Sequence, residues 1–374
     1  MFENENLIFG DIDQYNSSIS KYSISNGSMG VIMSLKENNK KYFENSKKWK
    51  EWLNSAEKNL LNISENELCD NGLFSGMSGI CSVIYENGNQ DLSYKLLEKC
   101  NFNNKSMNIS IYNGLSGIGL SLLSFYSLSN IMVFKNRAIE IANIIVNKIN
   151  NGKFEEEKES EEKIGLITGW TGAALFLWKT GILLDEKYKK YAIIILEKIV
   201  NDNLVNDEQG ITFKDDSRGF RRLIPYLDTG SVGIALTLLE MQKDDLDSIS
   251  MKFSDLLSKL IDSNYSSCSY MSCLFSGVTG FIVLSNAIYK IYGVNKSLKK
   301  HILSLNNYAI SYDGMDIFPG KLGYKCSMDI STGSAGVMSV LNDVVSNDKW
   351  GSWIPLPKSD MNLFNINKAK KVNY

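Results

Sequence analysis

The chain has a single histidine, four prolines and no Cys-x-x-Cys among its six cysteines. Each scarcity removes something. A catalytic zinc site draws three protein ligands mainly from His, Cys and carboxylate, and one histidine leaves little to draw on. That histidine, His301, stands in "SLKKHILSL" beside two lysines and reads as a solvated helix position. Cysteines without framework spacing, in a chain whose opening "MFENENLIFG" has neither a basic start nor an apolar core, read as free thiols in a reducing cytoplasm. A net charge of −2 gives no electrostatic reason for nucleic acid or an anionic membrane as partner. No Gly-rich phosphate loop or kinase signature occurs, so nucleotide chemistry is not expected within these residues.

Charge is also missing from one long stretch, 106–134. Its length would suit a membrane helix, but Asn, Ser and Gly recur through it, and a buried helix is the better account. Scarce proline suits a nearly all-helical protein. With 44% apolar and 22% charged residues the composition is that of an ordinary soluble globular chain.

Glycine, by contrast, is patterned. Gly-x-x-Gly occurs at 27/30, 76/79, 114/117, 169/172, 230/233, 277/280 and 333/336, and chance would give roughly two such pairs. An eighth match, 320/323, follows Pro319 and lacks the flanking pattern. The residue before each first glycine is Asn26, Ser75, Asn113, Thr168, Thr229, Ser276 or Thr332, all types whose side-chain oxygen caps a helix N–H. Apolar, helix-like text follows each pair, as in "GIALTLLEMQ". The spacings of 49, 38, 55, 61, 47 and 56 residues hold two helices per unit. Amphipathic segments between the pairs, such as "KYKKYAIIILEKIVND" (187–202), read as outer helices and the apolar ones as inner. "NGKFEEEKESEEK" (151–163) reads as a solvated surface loop. Inner helices that are apolar along their length and start at tight glycine turns favour a closed ring over an open solenoid, whose period would be more regular. The expected fold is all-α, an α/α toroid over 9–354 with a C-terminal tail at 355–374.

The seven [Ser/Thr/Asn]-Gly-x-x-Gly-apolar units resemble the lanthionine synthetase C-like cyclases, which close thioether rings in ribosomally made peptides. "RRLIPYLDTGSVGIAL" (221–236) and "SMDISTGSAGVMSVL" (327–341) are similar more narrowly to the C-terminal cyclase domain of class III lanthipeptide synthetases, as is "FGDIDQYNSSISKYSISNGSMGV" (9–31). That resemblance implies a dehydrated precursor peptide as substrate, with lyase and kinase domains of the same polypeptide as partners. Zinc-dependent members carry Trp-Cys-Tyr-Gly in the fifth unit and Cys-His-Gly in the sixth. Here those units read Leu227-Asp228-Thr229-Gly230 and Phe275-Ser276-Gly277. All three ligand positions differ, at Asp228, Phe275 and Ser276, and the family's histidine before the first glycine of unit four is Thr168. Cys273 lies four residues ahead of Gly277, off the ligand register, and reads as a small buried hydrophobe. Neither metal nor other cofactor is expected.

The implied reaction adds a Cys thiol of the peptide to dehydroalanine or dehydrobutyrine through an enolate, giving lanthionine or, after a second addition, labionin. It tolerates the loss of the metal. An ordinary thiol has a pKa of about 8.5, so making thiolate at neutral pH costs only about 2 kcal/mol. Holding two groups of one peptide in attack geometry contributes up to about 7–11 kcal/mol. Candidate catalytic groups cluster at the fifth unit: Asp228 as orienting group or weak base, Tyr226 as donor to the enolate, Arg222 as counter-charge. Thr168, Trp170, Thr229, Phe275 and Ser276 are candidate substrate contacts, with core packing the competing role for Trp170 and Phe275. Two other readings compete with catalysis. One is a toroid that only docks the precursor or braces the other domains. The other, a glycosidase or terpenoid-type cyclase, needs paired acids in the cavity, and beyond Asp228 and Asp329 the cap regions are acid-poor.

Overall fold

The structure is a computed structural model that describes residues 10–11, 16–35, 46–64, 70–100, 107–153, 164–208, 210–215, 222–320, 323–346, 351–358 and 363. Each of the seven glycine pairs starts an inner helix. The first runs over 28–35; the others are Met77–Glu86, Leu115–Ser129, Trp170–Leu183, Ser231–Asp244, Val278–Tyr292 and Ser334–Val345. Between them lie the outer helices Lys47–Ser64, Gln90–Lys99, Met132–Asn150, Lys187–Asn203, Leu246–Ser266 and Lys296–Leu305. Each outer helix from Gln90 onward packs on the inner helix before it, and from Met77–Glu86 onward neighbouring inner helices touch in chain order.

Burial follows the two sequence textures. The helix at 115–129 is buried without interruption from Leu115 to Phe125, and the one at 170–183 from Trp170 to Gly181. The outer helix at 187–203 buries only one stripe: Tyr188, Ala192, Ile195, Leu196 and Ile199. That spacing puts one apolar face inward and leaves lysines to solvent. The charge-free stretch is thus a core helix, and among the described residues no helix is long and apolar enough to cross a membrane.

The second glycine of every pair is forced by one repeated contact. A Cβ built on Gly117 would lie 2.0 Å from the Ile111 carbonyl oxygen and 2.8 Å from Leu73 Cβ. The same collision, with the carbonyl six residues upstream, recurs at 1.9–2.6 Å for Gly30, Gly79, Gly172, Gly233, Gly280 and Gly336. In each case the preceding unit's side chain fills the other side: Ile24 on Gly79, Leu73 on Gly117, Ile111 on Gly172, Leu166 on Gly233, Leu227 on Gly280 and Leu274 on Gly336. Gly30 of unit one receives Ile330 of unit seven, at 3.3 Å. Asn342 Nδ2 also donates to the Ser34 carbonyl (3.4 Å), tying the last inner helix to the first. The ring is closed.

The sequence departs from expectation in three places. The residues before the first glycines do not cap. In the six inner helices from Met77 onward the N-cap is the glycine itself, in extended backbone, with no side-chain cap bond. A hydroxyl inside the first turn works instead. Ser28, Ser78, Ser116, Thr171, Ser231 and Thr279 each donate to the carbonyl seven residues upstream, stitching helix start to loop. The chain also carries small sheets that periodicity did not signal. An antiparallel sheet of β1 (Leu204–Asp207), β2 (Gly210–Asp215) and β3 (Arg222–Ile224) precedes unit five, and a hairpin of β4 (Ile310–Tyr312) and β5 (Met315–Ile317) precedes unit seven. None falls on a glycine-pair segment. Finally, packing continues past 354: Pro355, Pro357 and Leu363 are buried, and Lys358 N–H donates to Glu86. Of the acidic segment at 151–163, only 151–153 fall within the described residues.

An ionic cluster locks the far ends of inner helices four and five. Lys179 Nζ lies 2.7 Å from Glu240 and 2.6 Å from Asp244, Lys243 reaches Glu240 at 2.6 Å, and Trp178 Nε1 donates to Asp244. Lys179 and Glu240 are almost wholly buried. The pairing holds Lys179 protonated against its desolvation and Glu240 ionised against its own.

Gly117→Ala is expected to lower stability by about 3 kcal/mol, at the top of the range for overpacking, because the obstructing atom is backbone. Gly88→Ala, at φ +94° but facing open space, should cost only about 1–2 kcal/mol. Urea unfolding of the two variants compares them directly; equal losses would mean the carbonyl approach is not the constraint.

Candidate functional site

The loop entering each inner helix places one residue in an inner belt, five positions before the second glycine. These residues are Ser25, Phe74, Tyr112, Ile167, Asp228, Phe275 and Ser331. Their main chains bond around the ring. Ser25 N–H donates to Phe74 O (2.9 Å), Phe74 to Tyr112 (2.8 Å), Tyr112 to Ile167 (2.9 Å), Ile167 to Asp228 (3.0 Å) and Asp228 to Phe275 (3.2 Å). Ser331 N–H donates to Ser25 O at 3.4 Å. Close approach of the loops makes this possible: a Cβ on Gly165 would sit 2.2 Å from the Asp228 carbonyl.

The residue after each belt position, the one the sequence marks as a cap, is the more open one. Asn26, Ser75, Thr168, Thr229, Ser276 and Thr332 are part-exposed and Asn113 is exposed, while the first glycine that follows is buried in all seven units. These small polar side chains form a rim above the belt. Three of them bond within the entry loops that form the belt and rim. Thr168 Oγ1 donates to Asp228 O (3.5 Å), Thr229 Oγ1 to Asp228 Oδ1 (3.1 Å), and Thr332 Oγ1 to Asp329.

Below the rim the centre is aromatic. Phe275 meets Phe74 edge-on at 5.2 Å, Phe74 stacks on Tyr112 at 6.0 Å, and Tyr112 and Phe275 lie 6.5 Å apart. Units two, three and six thus contribute one ring each to a common floor. Edge-to-face and offset contacts of this kind add about 0.5–1.5 kcal/mol each beyond burial.

The residues singled out from the sequence divide on this geometry. Thr168, Asp228, Thr229, Phe275 and Ser276 come together on the belt and rim, on three adjacent units. Tyr226, two residues before Asp228, is half-buried with its ring stacked on Phe281 (6.1 Å, 12°). Burial pushes its phenol pKa up, with Ser269 beside it pulling the other way and the Asp228 charge reinforcing the rise. Trp170 is 1% exposed, inside the core, and presents no face to a ligand. Arg222 is exposed on strand β3, paired through the backbone with Asp215, outside the belt. Cys273 is buried as expected, its sulfur 3.8 Å from Ser276 Oγ, and burial raises its pKa.

His301 is not solvated. It is 1% exposed, its Nε2 lies 2.8 Å from the Asn264 carbonyl, and Phe281 packs on it at 5.4 Å. The two flanking lysines gave the misleading signal; the apolar helical register around it was the better guide. Among the described residues no three His, Cys, Asp or Glu side chains gather so as to hold a metal ion. At the three positions where the resemblance puts zinc ligands stand a carboxylate bonded to Thr229, a phenyl ring in the aromatic floor and a hydroxyl. This donor set does not fit zinc.

Comparison with known proteins gives a consistent picture. Residues 18–163 match the family model described as lanthionine synthetase C-like protein. The match agrees with the resemblance read from the sequence. A Streptomyces coelicolor protein named "Probable SapB synthase" is 22% identical over 361 residues, covering 95% of this chain. This chain spans 37% of that relative's length. Among solved structures, nisin cyclase superposes with a TM-score of 0.63 at 17% identity, covering 92% of this chain and 94% of its own. That likeness shows the fold, an α/α toroid. The GH76A α-1,6-mannanase from Salegentibacter sp. HEL1_6 reaches a TM-score of only 0.44.

The pH response follows from His301. Burial lowers its pKa, so the folded state binds this proton less readily than the unfolded state. The associated stability is complete above the unfolded pKa of about 6.5 and is lost as pH falls below it. Melting temperature is expected to fall between pH 7.5 and 5.5, and His301→Gln should flatten that fall; an unchanged slope in the variant would assign the loss to other groups.

Proposed function

We propose that the chain is the cyclase unit of a lanthipeptide synthetase of class III type, closing lanthionine or labionin rings in a dehydrated precursor peptide without a metal. The observation that carries this reading is the position of Asp228 and Phe275. The belt holds the two positions that match zinc-ligand sites in the resembling family at bonding distance (Asp228 N to Phe275 O, 3.2 Å), within a closed toroid. On this reading the site keeps the family's position and differs in its chemistry. The two relatives named as a synthase and a cyclase support the activity class; the first relative's greater length leaves room for further domains, and the class III resemblance makes these the lyase and kinase partners.

The reaction needs a thiolate, an alkene activated by its carbonyl, and a proton returned to the α-carbon. The Tyr226 phenol, ordinarily protonated at neutral pH and pushed further up by burial, can donate to the developing enolate or return the proton. Asp228, fixed on one oxygen by Thr229, orients the thiol or accepts its proton weakly. Arg222, exposed on β3, supplies positive charge at the periphery. Thr168, Thr229 and Ser276 offer hydroxyls, and Phe275 an aromatic wall, to the peptide. Trp170 supports the wall from inside the core. No resident metal or cofactor takes part. The soluble composition, with a charge near neutral, fits work on a peptide in the cytoplasm with neither nucleic acid nor membrane as partner.

A docking role without catalysis is the second reading, favoured by the poor donor set of the belt. Ring closure separates the two. Tyr226→Phe and Asp228→Asn are expected to slow thioether formation about tenfold to a hundredfold with peptide affinity unchanged. Loss of free thiol, followed by alkylation and mass spectrometry at saturating peptide, gives the rate. Wild-type rates from both variants would leave the docking role standing.

A further inference from the structure

The belt has one unmade link. Six of its seven positions donate a main-chain N–H to the next, and the register calls for Phe275 N–H to donate to the Ser331 carbonyl. Among the described residues that bond does not form, and the Phe275 N–H has no other acceptor. On the facing side, Ser331 is 5% exposed and its hydroxyl has no hydrogen-bond partner. The nearest carboxylate in sequence, Asp329, is already occupied by the Ser327 hydroxyl (2.6 Å) and by the N–H and hydroxyl of Thr332. Two donors are thus left unspent at one seam of an otherwise bonded ring. A buried polar group without a partner costs about 1–3 kcal/mol, so two unspent donors on neighbouring units mark a place where something else is meant to bond. The next residues on either side, Ser276 and Thr332, are part-exposed. The seam also lies beside the Asp228–Phe275 link.

We infer that the seam between units six and seven is an oxyanion hole, in which Phe275 N–H and the Ser331 hydroxyl bind the carbonyl oxygen of the substrate's dehydroamino acid. This deepens the cyclase reading and rests on it. The peptide thiolate forms a bond from sulfur to the β-carbon, and the alkene pair moves through the α-carbon onto the carbonyl oxygen. Charge gathers on that oxygen as the enolate forms and leaves it as the α-carbon takes a proton. The net change transfers the thiol hydrogen to the α-carbon, with no external oxidant or reductant. Two preset donors serve this oxygen more strongly in the enolate than in the ground-state carbonyl, which is what accelerates the step.

The test uses the full chain and a synthetic peptide bearing one dehydroalanine and one downstream cysteine, with thiol loss followed in time. Ser331→Ala is expected to lower kcat about a hundredfold with KM little changed. Its melting temperature should stay level or rise, since the hydroxyl removed is unpaired in the free protein. Ser331→Thr, which keeps the hydroxyl, should recover most of the rate. If wild type accelerates ring closure and Ser331→Ala matches it, the hole is refuted and the cyclase reading survives. If Ser331→Ala loses rate and melting temperature together and Ser331→Thr does not restore the rate, the role is packing and the hole is again refuted. No acceleration by wild type removes both.

Discussion

Every inner helix begins beneath a carbonyl oxygen that leaves no room for a side chain. A Cβ at any of the seven second glycines would fall 1.9–2.6 Å from the oxygen six residues upstream. The neighbour's Leu or Ile closes the other side of the same glycine. The contact couples the path of each entry loop to the placement of the next unit. The last such contact, Ile330 on Gly30, returns to the start of the chain and makes the array a ring. An inserted methyl at one unit therefore disturbs a loop, a helix start and a unit interface together.

The belt is the functional consequence of that packing. Entry loops drawn this tightly onto helix starts bring one main-chain segment per unit to a common circle, close enough to bond to its neighbours. Residues of the belt thus become neighbours without being near in sequence, as Asp228 and Phe275 do through their main chains. The chemistry offered there is hydroxyl, phenol, carboxylate and main-chain N–H above an aromatic floor. On the cyclase reading such a site works by position and enolate stabilisation, since the thiol nucleophile comes with the peptide and needs only about 2 kcal/mol of help to ionise. The buried Lys179–Glu240–Asp244 cluster lies at the opposite helix ends, where it joins inner helices four and five.

The glycine pairs and their apolar sequels made the ring legible in the sequence, because a collision with backbone leaves only glycine at that site and inner helices are apolar on all sides. The small sheets were not legible: β1, β3, β4 and β5 are only three or four residues long and mostly exposed, too short to show a period. The cap assignment failed because Asn26, Ser75, Asn113, Thr168, Thr229, Ser276 and Thr332 are the right residue types one position too early. The residues that do bond at the helix starts, Ser28, Ser78, Ser116, Thr171, Ser231 and Thr279, were visible inside the pairs. His301 was misread because local charge outweighed register. At the site, Asp228, Phe275, Ser276, Thr168 and Thr229 were found through motif position. The belt that joins them was hidden, since main-chain bonds between distant loops leave no mark on residue type.

Native-state hydrogen exchange of the belt amides tests the closed ring most directly. The N–H groups of Phe74, Tyr112, Ile167, Asp228 and Ser331 should exchange only with global unfolding, at one shared free energy matching that from denaturant. Ser331 is the telling one, because its bond to Ser25 closes the circle. Fast, independent exchange at Ser331, with the others protected, would contradict the account and make the array an open one.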